Sequence, residues 1–153
     1  MQKYSKIVST GSYLPEKILT NKDLEGMVDT SHEWIIERTG IESRHIASEN
    51  ESSVDMAYNA SLIAMKNAGL NSNDIDMIVV ATTTPERKFP STAVLLQNRL
   101  KNNNAFAFDL NAACTGFIYA LDVADTYIKN GLVNHVLVVG TEKITSLLDW
   151  SDR

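Results

Sequence analysis

A single cysteine, Cys114, stands in 153 residues, and that scarcity excludes an intrachain disulfide and a thiolate metal cluster. It also leads us to expect a reducing, cytoplasmic home. No apolar run approaches the roughly 20 residues that a membrane helix needs. The opening Met1-Gln2-Lys3-Tyr4-Ser5-Lys6 lacks the apolar stretch of a secretory leader. Basic residues are in the minority: 14 Lys and Arg against 19 Asp and Glu give a net charge of −5. The field of the whole chain therefore repels nucleic acid and anionic membrane, and an anionic ligand would need local basic residues. Repeats, low-complexity tracts and Pro/Gly/Ser linkers are absent as well. One domain over residues 1–153 is expected, long enough to bury a core.

What is present is an alternation of strand-like and helix-like segments. Residues 6–13 read as a first strand. Asn21 is placed to cap a short helix over 22–27, and Thr30-Ser31-His32-Glu33 fits a capping box opening a helix that Gly40 ends. Ser52 or Ser53 begins a longer helix to Asn67, with Met56, Ala60, Ile63 and Ala64 on one face and Gly69 as its stop. Met77-Ile78-Val79-Val80-Ala81 is a continuous apolar run, as suits a strand buried on both faces. A helix over 91–101 follows, then a strand in which Phe106, Phe108 and Leu110 alternate. A helix over 115–130 with Gly131 as its stop precedes the last strand, 136–140. Strands separated by helices of this length imply βαβ units, a mostly parallel sheet and the α/β class. The turn after the first strand, Gly11-Ser12-Tyr13-Leu14-Pro15-Glu16, lacks the Gly-x-Gly-x-x-Gly phosphate loop, which argues against a nicotinamide oxidoreductase.

In such sheets, ligands bind beyond the carboxyl ends of the strands, where loops meet helix N-termini. The segment from Phe108 to Phe117 passes through that place and sets Cys114 at the mouth of a helix. N–H groups and the positive dipole end there favour a thiolate. Ala112, Ala113 and Gly116 are small and leave room for a substrate. Position alone leaves two readings open, a reactive thiol or a small buried hydrophobe.

Asn111-Ala112-Ala113-Cys114-Thr115-Gly116-Phe117 resembles the nucleophile motif of the β-ketoacyl-acyl-carrier-protein synthase III enzymes, the thiolase-fold condensing enzymes that prime type II fatty acid synthesis. The likeness runs the length of the chain. It takes in Gly11-Ser12-Tyr13-Leu14-Pro15, Asp29-Thr30-Ser31-His32-Glu33-Trp34-Ile35, Arg38-Thr39-Gly40-Ile41, Arg44-His45-Ile46-Ala47, Ile78-Val79-Val80-Ala81-Thr82-Thr83, Phe89-Pro90-Ser91 and Leu137-Val138-Val139-Gly140. The resemblance implies the N-terminal half of a thiolase-like fold. That half is a mostly parallel five-stranded sheet with helices on both faces, here stopping before its last strand. It also implies that Cys114 takes an acyl group, acetyl in the simplest case, from acyl-coenzyme A. Malonyl-acyl carrier protein then loses carbon dioxide and attacks the thioester. Neither metal nor redox cofactor is required, since acyl-coenzyme A is a substrate.

Trp34 and Arg38 share a helix face. An indole beside a guanidinium can sandwich an adenine and meet a phosphate; equally, the indole could be half-buried and Arg38 paired with a surface carboxylate. The resemblance assigns the coenzyme A head group to Thr30, Trp34, Arg38 and Arg153. It assigns Phe89 to the acyl pocket of the partner subunit in a homodimer, where spacing alone allows an ordinary packed aromatic. His135 should lie at the far edge of the sheet from Cys114, and neither His32 nor His45 is placed to serve it. By the same resemblance, a His and an Asn from a second half, absent from this chain, carry out the decarboxylation. A glycine-rich segment beyond Arg153 would complete the sheet. The expected function is thus synthase III chemistry. The alternatives are a non-catalytic acyl-coenzyme A-binding or scaffold fragment, or a relative using longer or branched primers.

Overall fold

The computed structural model describes residues 4–152, so Arg153 lies outside the described residues. The chain divides into two compact units. The larger holds the residues up to Tyr13 with Ser52–Glu142, and the smaller holds Leu14–Glu51 with the residues from Lys143 onward.

The larger unit is built on three parallel strands, β3 (Met77–Ala81), β4 (Phe106–Leu110) and β5 (Val136–Gly140), in the order β4-β3-β5. The register is even, with Val79 opposite both Phe108 and Val138. All five residues of β3 are buried, because helices cover both faces. Its alternating side chains serve two cores. Met77, Val79 and Ala81 pack under α5 (Gly116–Lys129) with Ala120. Ile78 and Val80 pack with Ala57 and Met65 of α3 (Ser53–Ala68) and with Ala93 and Leu96 of α4 (Thr92–Arg99). Ser52 caps α3 through a capping box with Asp55, and Gly69 ends it in the left-handed conformation at φ 67°.

The segment 6–13, expected as a first strand, forms no backbone ladder among the described residues. It is held by helices instead. Ser9 Oγ donates to the Ala64 carbonyl at 2.7 Å, and Asn67 Nδ2 donates to the Thr10 carbonyl at 3.1 Å. Gly11 approaches α3 so closely that a Cβ there would lie 2.3 Å from the Ala60 carbonyl oxygen. Between this segment and the outer edge of β5 runs a cleft of about 700 Å³, floored by residues such as Ala64, Leu121 and Ala124. Of the five-stranded sheet expected to stop before its last strand, three strands pair among the described residues, since the cleft separates the first segment from β5.

The remaining two strands lie in the smaller unit, where β1 (Lys17–Thr20) pairs antiparallel with β2 (Ser43–Ile46). Between them come α1 (Asn21–Glu25) and α2 (His32–Thr39). Two capping expectations shift by one residue. Thr20, not Asn21, caps α1, because Asp23 lies at the position that returns the capping-box bond. Asn21 is instead buried, and its amide donates to the Ile41 carbonyl at 2.8 Å. Ser31, not Thr30, caps α2, accepting from the Trp34 N–H at 3.1 Å. Among the described residues no helix is long and apolar enough to cross a membrane.

Candidate active site

The carboxyl ends of the three parallel strands are bound together before any loop departs. Thr82 N–H donates to the Leu110 carbonyl, and Thr141 N–H to the Ala81 carbonyl, each at 3.2 Å. From this platform the chain leaves β4 into an elbow. Ala113 adopts φ 47°, a left-handed conformation uncommon outside glycine. That residue begins a single 3-10 turn, Ala113–Thr115, whose closing bonds run from Thr115 N–H and Oγ1 to the Ala112 carbonyl at 3.2 and 2.9 Å. Cys114 is the central residue of this turn and is exposed. The expected helix over 115–130 begins one residue later, at Gly116. Gly116 packs closely there, since a Cβ would come within 3.2 Å of the Ala81 Cβ at the end of β3.

The strand leading to the elbow carries a residue whose role sequence reasoning missed. The Asp109 carboxylate accepts from the Thr92 and Ala93 N–H groups at 2.8 and 2.7 Å, so it caps α4 from a neighbouring strand. The only signal in the sequence was a charge interrupting the apolar run Phe106-Ala107-Phe108-Asp109-Leu110. Phe89 lies in the loop between β3 and α4, joined to Pro90 by a cis peptide bond. At 89% exposure it does not pack as a core aromatic.

In the smaller unit, Arg38 lies over Trp34 with its guanidinium carbon 4.7 Å from the ring centroid. The indole is 37% exposed, and among the described residues Arg38 makes no ion pair. The reading in which a surface carboxylate holds Arg38 is thereby set aside. Thr30 Oγ1, just before the cap of α2, is buried without a hydrogen-bond partner. Cys114 and Phe89 thus belong to one unit, and Thr30, Trp34 and Arg38 to the other.

The histidines are engaged elsewhere. His135 precedes β5 at the amino ends of the strands, where its Nδ1 meets the Asp74 carbonyl at 3.0 Å. A five-residue strand puts that edge roughly 16 Å from the carboxyl ends. The His32 ring meets the Asn21 amide at 3.3 Å, and His45 Nδ1 meets the Pro15 carbonyl.

A family model for 3-oxoacyl-[acyl-carrier-protein] synthase III matches residues 108–153, the stretch that holds the elbow. The chain is 57% identical over 150 residues to the β-ketoacyl-[acyl-carrier-protein] synthase III of Xanthomonas oryzae pv. oryzae, covering 98% of this chain and 46% of that protein. It is 54% identical to the enzyme of the same name from Ehrlichia canis, covering 99% of this chain and 47% of the relative. The chain belongs to the β-ketoacyl-acyl-carrier-protein synthase III family. It spans about half the length of the curated synthase III relatives it matches. The crystal structure of the synthase III from Aquifex aeolicus superposes with a TM-score of 0.93 at 52% identity, over 97% of this chain and 48% of that one. A priming β-ketosynthase from the R1128 polyketide pathway superposes at 0.96 with 39% identity, over 99% and 46%. The fold is thiolase-like, with the architecture of an N-terminal half.

Proposed function

We propose that Cys114 is the acyl-accepting nucleophile of a β-ketoacyl-acyl-carrier-protein synthase III that primes fatty acid synthesis. The observation that carries this reading is an exposed cysteine on an elbow between β4 and α5, flanked by Ala112, Ala113 and Gly116. The thiolate adds to the carbonyl carbon of acyl-coenzyme A, and the bond to the coenzyme A sulfur breaks as that sulfur leaves. A polarizable nucleophile that is also a fair leaving group suits both this step and the next. The Cys114 N–H, at the helix mouth, is the donor proposed for the thioester oxygen as it gains charge. In the second step malonyl-acyl carrier protein loses carbon dioxide, its carbanion attacks the enzyme thioester, and the Cys114 sulfur departs. The His and Asn for that step belong to a second half. No metal or redox cofactor takes part.

Trp34 and Arg38 form the platform proposed for the adenine of coenzyme A, with the Thr30 hydroxyl beside the helix start and Arg153 assigned by resemblance. Phe89 is proposed to reach the acyl pocket of a partner subunit in a cytoplasmic homodimer. A second reading, acyl-coenzyme A binding without turnover, draws on one observation, that His135 stands at the opposite edge of the sheet from the elbow. Incubation with acetyl-coenzyme A followed by peptide mass spectrometry tests the assignment. The acetyl group is expected on Cys114 and absent from the folded Cys114→Ser variant. An acetyl group on another residue overturns the assignment.

A further inference from the structure

The loop that carries Phe89 is fastened by one side chain outside it. Glu142, two residues beyond β5, accepts from the Thr83 N–H at 2.8 Å and from the Thr84 hydroxyl at 2.6 Å. Both of its oxygens also lie 3.2 Å from the Thr83 hydroxyl. Among the described residues no cation pairs with this carboxylate, so its acceptor capacity goes to the loop. The adjacent Thr141 strengthens the same junction: its hydroxyl donates to the Ser53 carbonyl at 3.1 Å, and Ser53 Oγ donates to the Thr84 carbonyl at 3.1 Å. Ser53 N–H further bonds the Glu86 carboxylate. The first half of the loop is therefore held at Thr83, Thr84 and Glu86. Arg87, Lys88 and Phe89 stand exposed beyond these ties.

We infer that Glu142 is a positioning residue that sets acyl-chain selectivity by fixing the base of the loop presenting Phe89. The inference rests on the acyltransferase reading above. A carboxylate acceptor makes stronger bonds than a neutral one, and the loop presenting Phe89 is suspended between this tie at its start and the Asp109 cap on Thr92 at its end. Without Glu142 the Thr83 N–H and the Thr84 hydroxyl lose these bonds, and the loop start can shift while Glu86 and the Asp109 cap on Thr92 still hold it, which redirects Phe89.

The test uses the full-length protein containing this chain, with Glu142→Ala and Glu142→Gln. The glutamine keeps an acceptor for the Thr83 N–H and a polar group for Thr84. Trypsin reads the loop directly, since Arg87 and Lys88 both lie in it. Cleavage there should be about tenfold faster in Glu142→Ala and near the parent rate in Glu142→Gln, because proteolysis follows the open population. The ratio of Cys114 acylation by isobutyryl- to acetyl-coenzyme A should shift about fivefold in Glu142→Ala, in the direction of Phe89→Ala, and hold in Glu142→Gln. If Glu142→Ala loses its far-ultraviolet circular dichroism, Thr84→Val replaces it with the same readouts and the same expectations. Unchanged cleavage, or faster cleavage with an unchanged acyl ratio, overturns the inference while leaving the acyltransferase reading intact. A parent protein whose Cys114 takes no acyl group sinks both.

Discussion

Arg38 covers one face of the Trp34 indole at 4.7 Å from the ring centroid, and the pair is joined by a single turn of α2. This geometry yields a selective prediction. Trp34→Ala and Arg38→Ala should each weaken coenzyme A binding by ~1–3 kcal/mol, the range for stacking on one base. Binding of a short pantetheine thioester, which lacks the adenine, should change little. Titration calorimetry with both ligands checks this, and equal losses would mean that the substitutions disturb the fold instead.

Residues 1–153 expressed alone should acylate slowly and release no 3-ketoacyl product from malonyl-acyl carrier protein. His135 is anchored at the amino ends of the strands, and His32 and His45 are occupied by Asn21 and the Pro15 carbonyl. Product analysis by mass spectrometry decides the matter. Sustained product from the purified chain, with no second polypeptide present, would show that residues 1–153 already hold a group able to take the developing charge.

Asp55 ties α3 to α4 and should give the stability a defined acid limb. Burial works against its ionisation, yet bonds from the Ser52 hydroxyl and N–H and from the Arg99 guanidinium outweigh it and hold the carboxyl at about 2. A depressed carboxylate stabilises fully above its ordinary value of 3.8 and ceases to do so as pH falls through about 2. The Asp55→Asn variant should therefore melt below the parent at pH 6, and the gap should close between about pH 4 and 2. Thermal melts across that range check it, and a gap independent of pH would count against the assignment.

Gly11→Ala should destabilise by ~1–3 kcal/mol, the range for overpacking, because the new carbon would meet α3 backbone at 2.3 and 2.5 Å. Gly26→Ala is the matched control, since its added carbon would meet only the Asp23 carbonyl oxygen at 3.5 Å. Denaturant titration of the two variants distinguishes them. Equal stability would mean that the first segment does not pack on α3 as described.

The sequence was most legible where local pattern and tertiary role coincide. Met77–Ala81 is apolar throughout because it is covered on both faces, and Gly40 and Gly69 end helices that need a left-handed residue. Trp34 and Arg38 could be paired from spacing, since a helix places such residues side by side. The antiparallel pairing of β1 and β2 was missed, because Lys17-Ile18-Leu19-Thr20 and Ser43-Arg44-His45-Ile46 show no clear period and find each other only in the fold. The first segment misled in the opposite sense, since its composition suits a strand but its partners are α3 and α5. Asp109 and Glu142 gave almost no local sign, for their bonds reach Thr92 and Thr83, far off in the chain.

The cleft beside β5 also has a signature that needs no ligand to observe. In a strand paired on one side only, alternate amide hydrogens point into a ladder and the rest point away from it. Along Val136–Gly140, one set is fastened to β3, and the other faces the 700 Å³ cleft. Deuterium should therefore replace every second amide quickly and its neighbours slowly. The exchange profile of a strand flanked by buried cores on both faces would then resemble that of a surface hairpin, read one residue at a time.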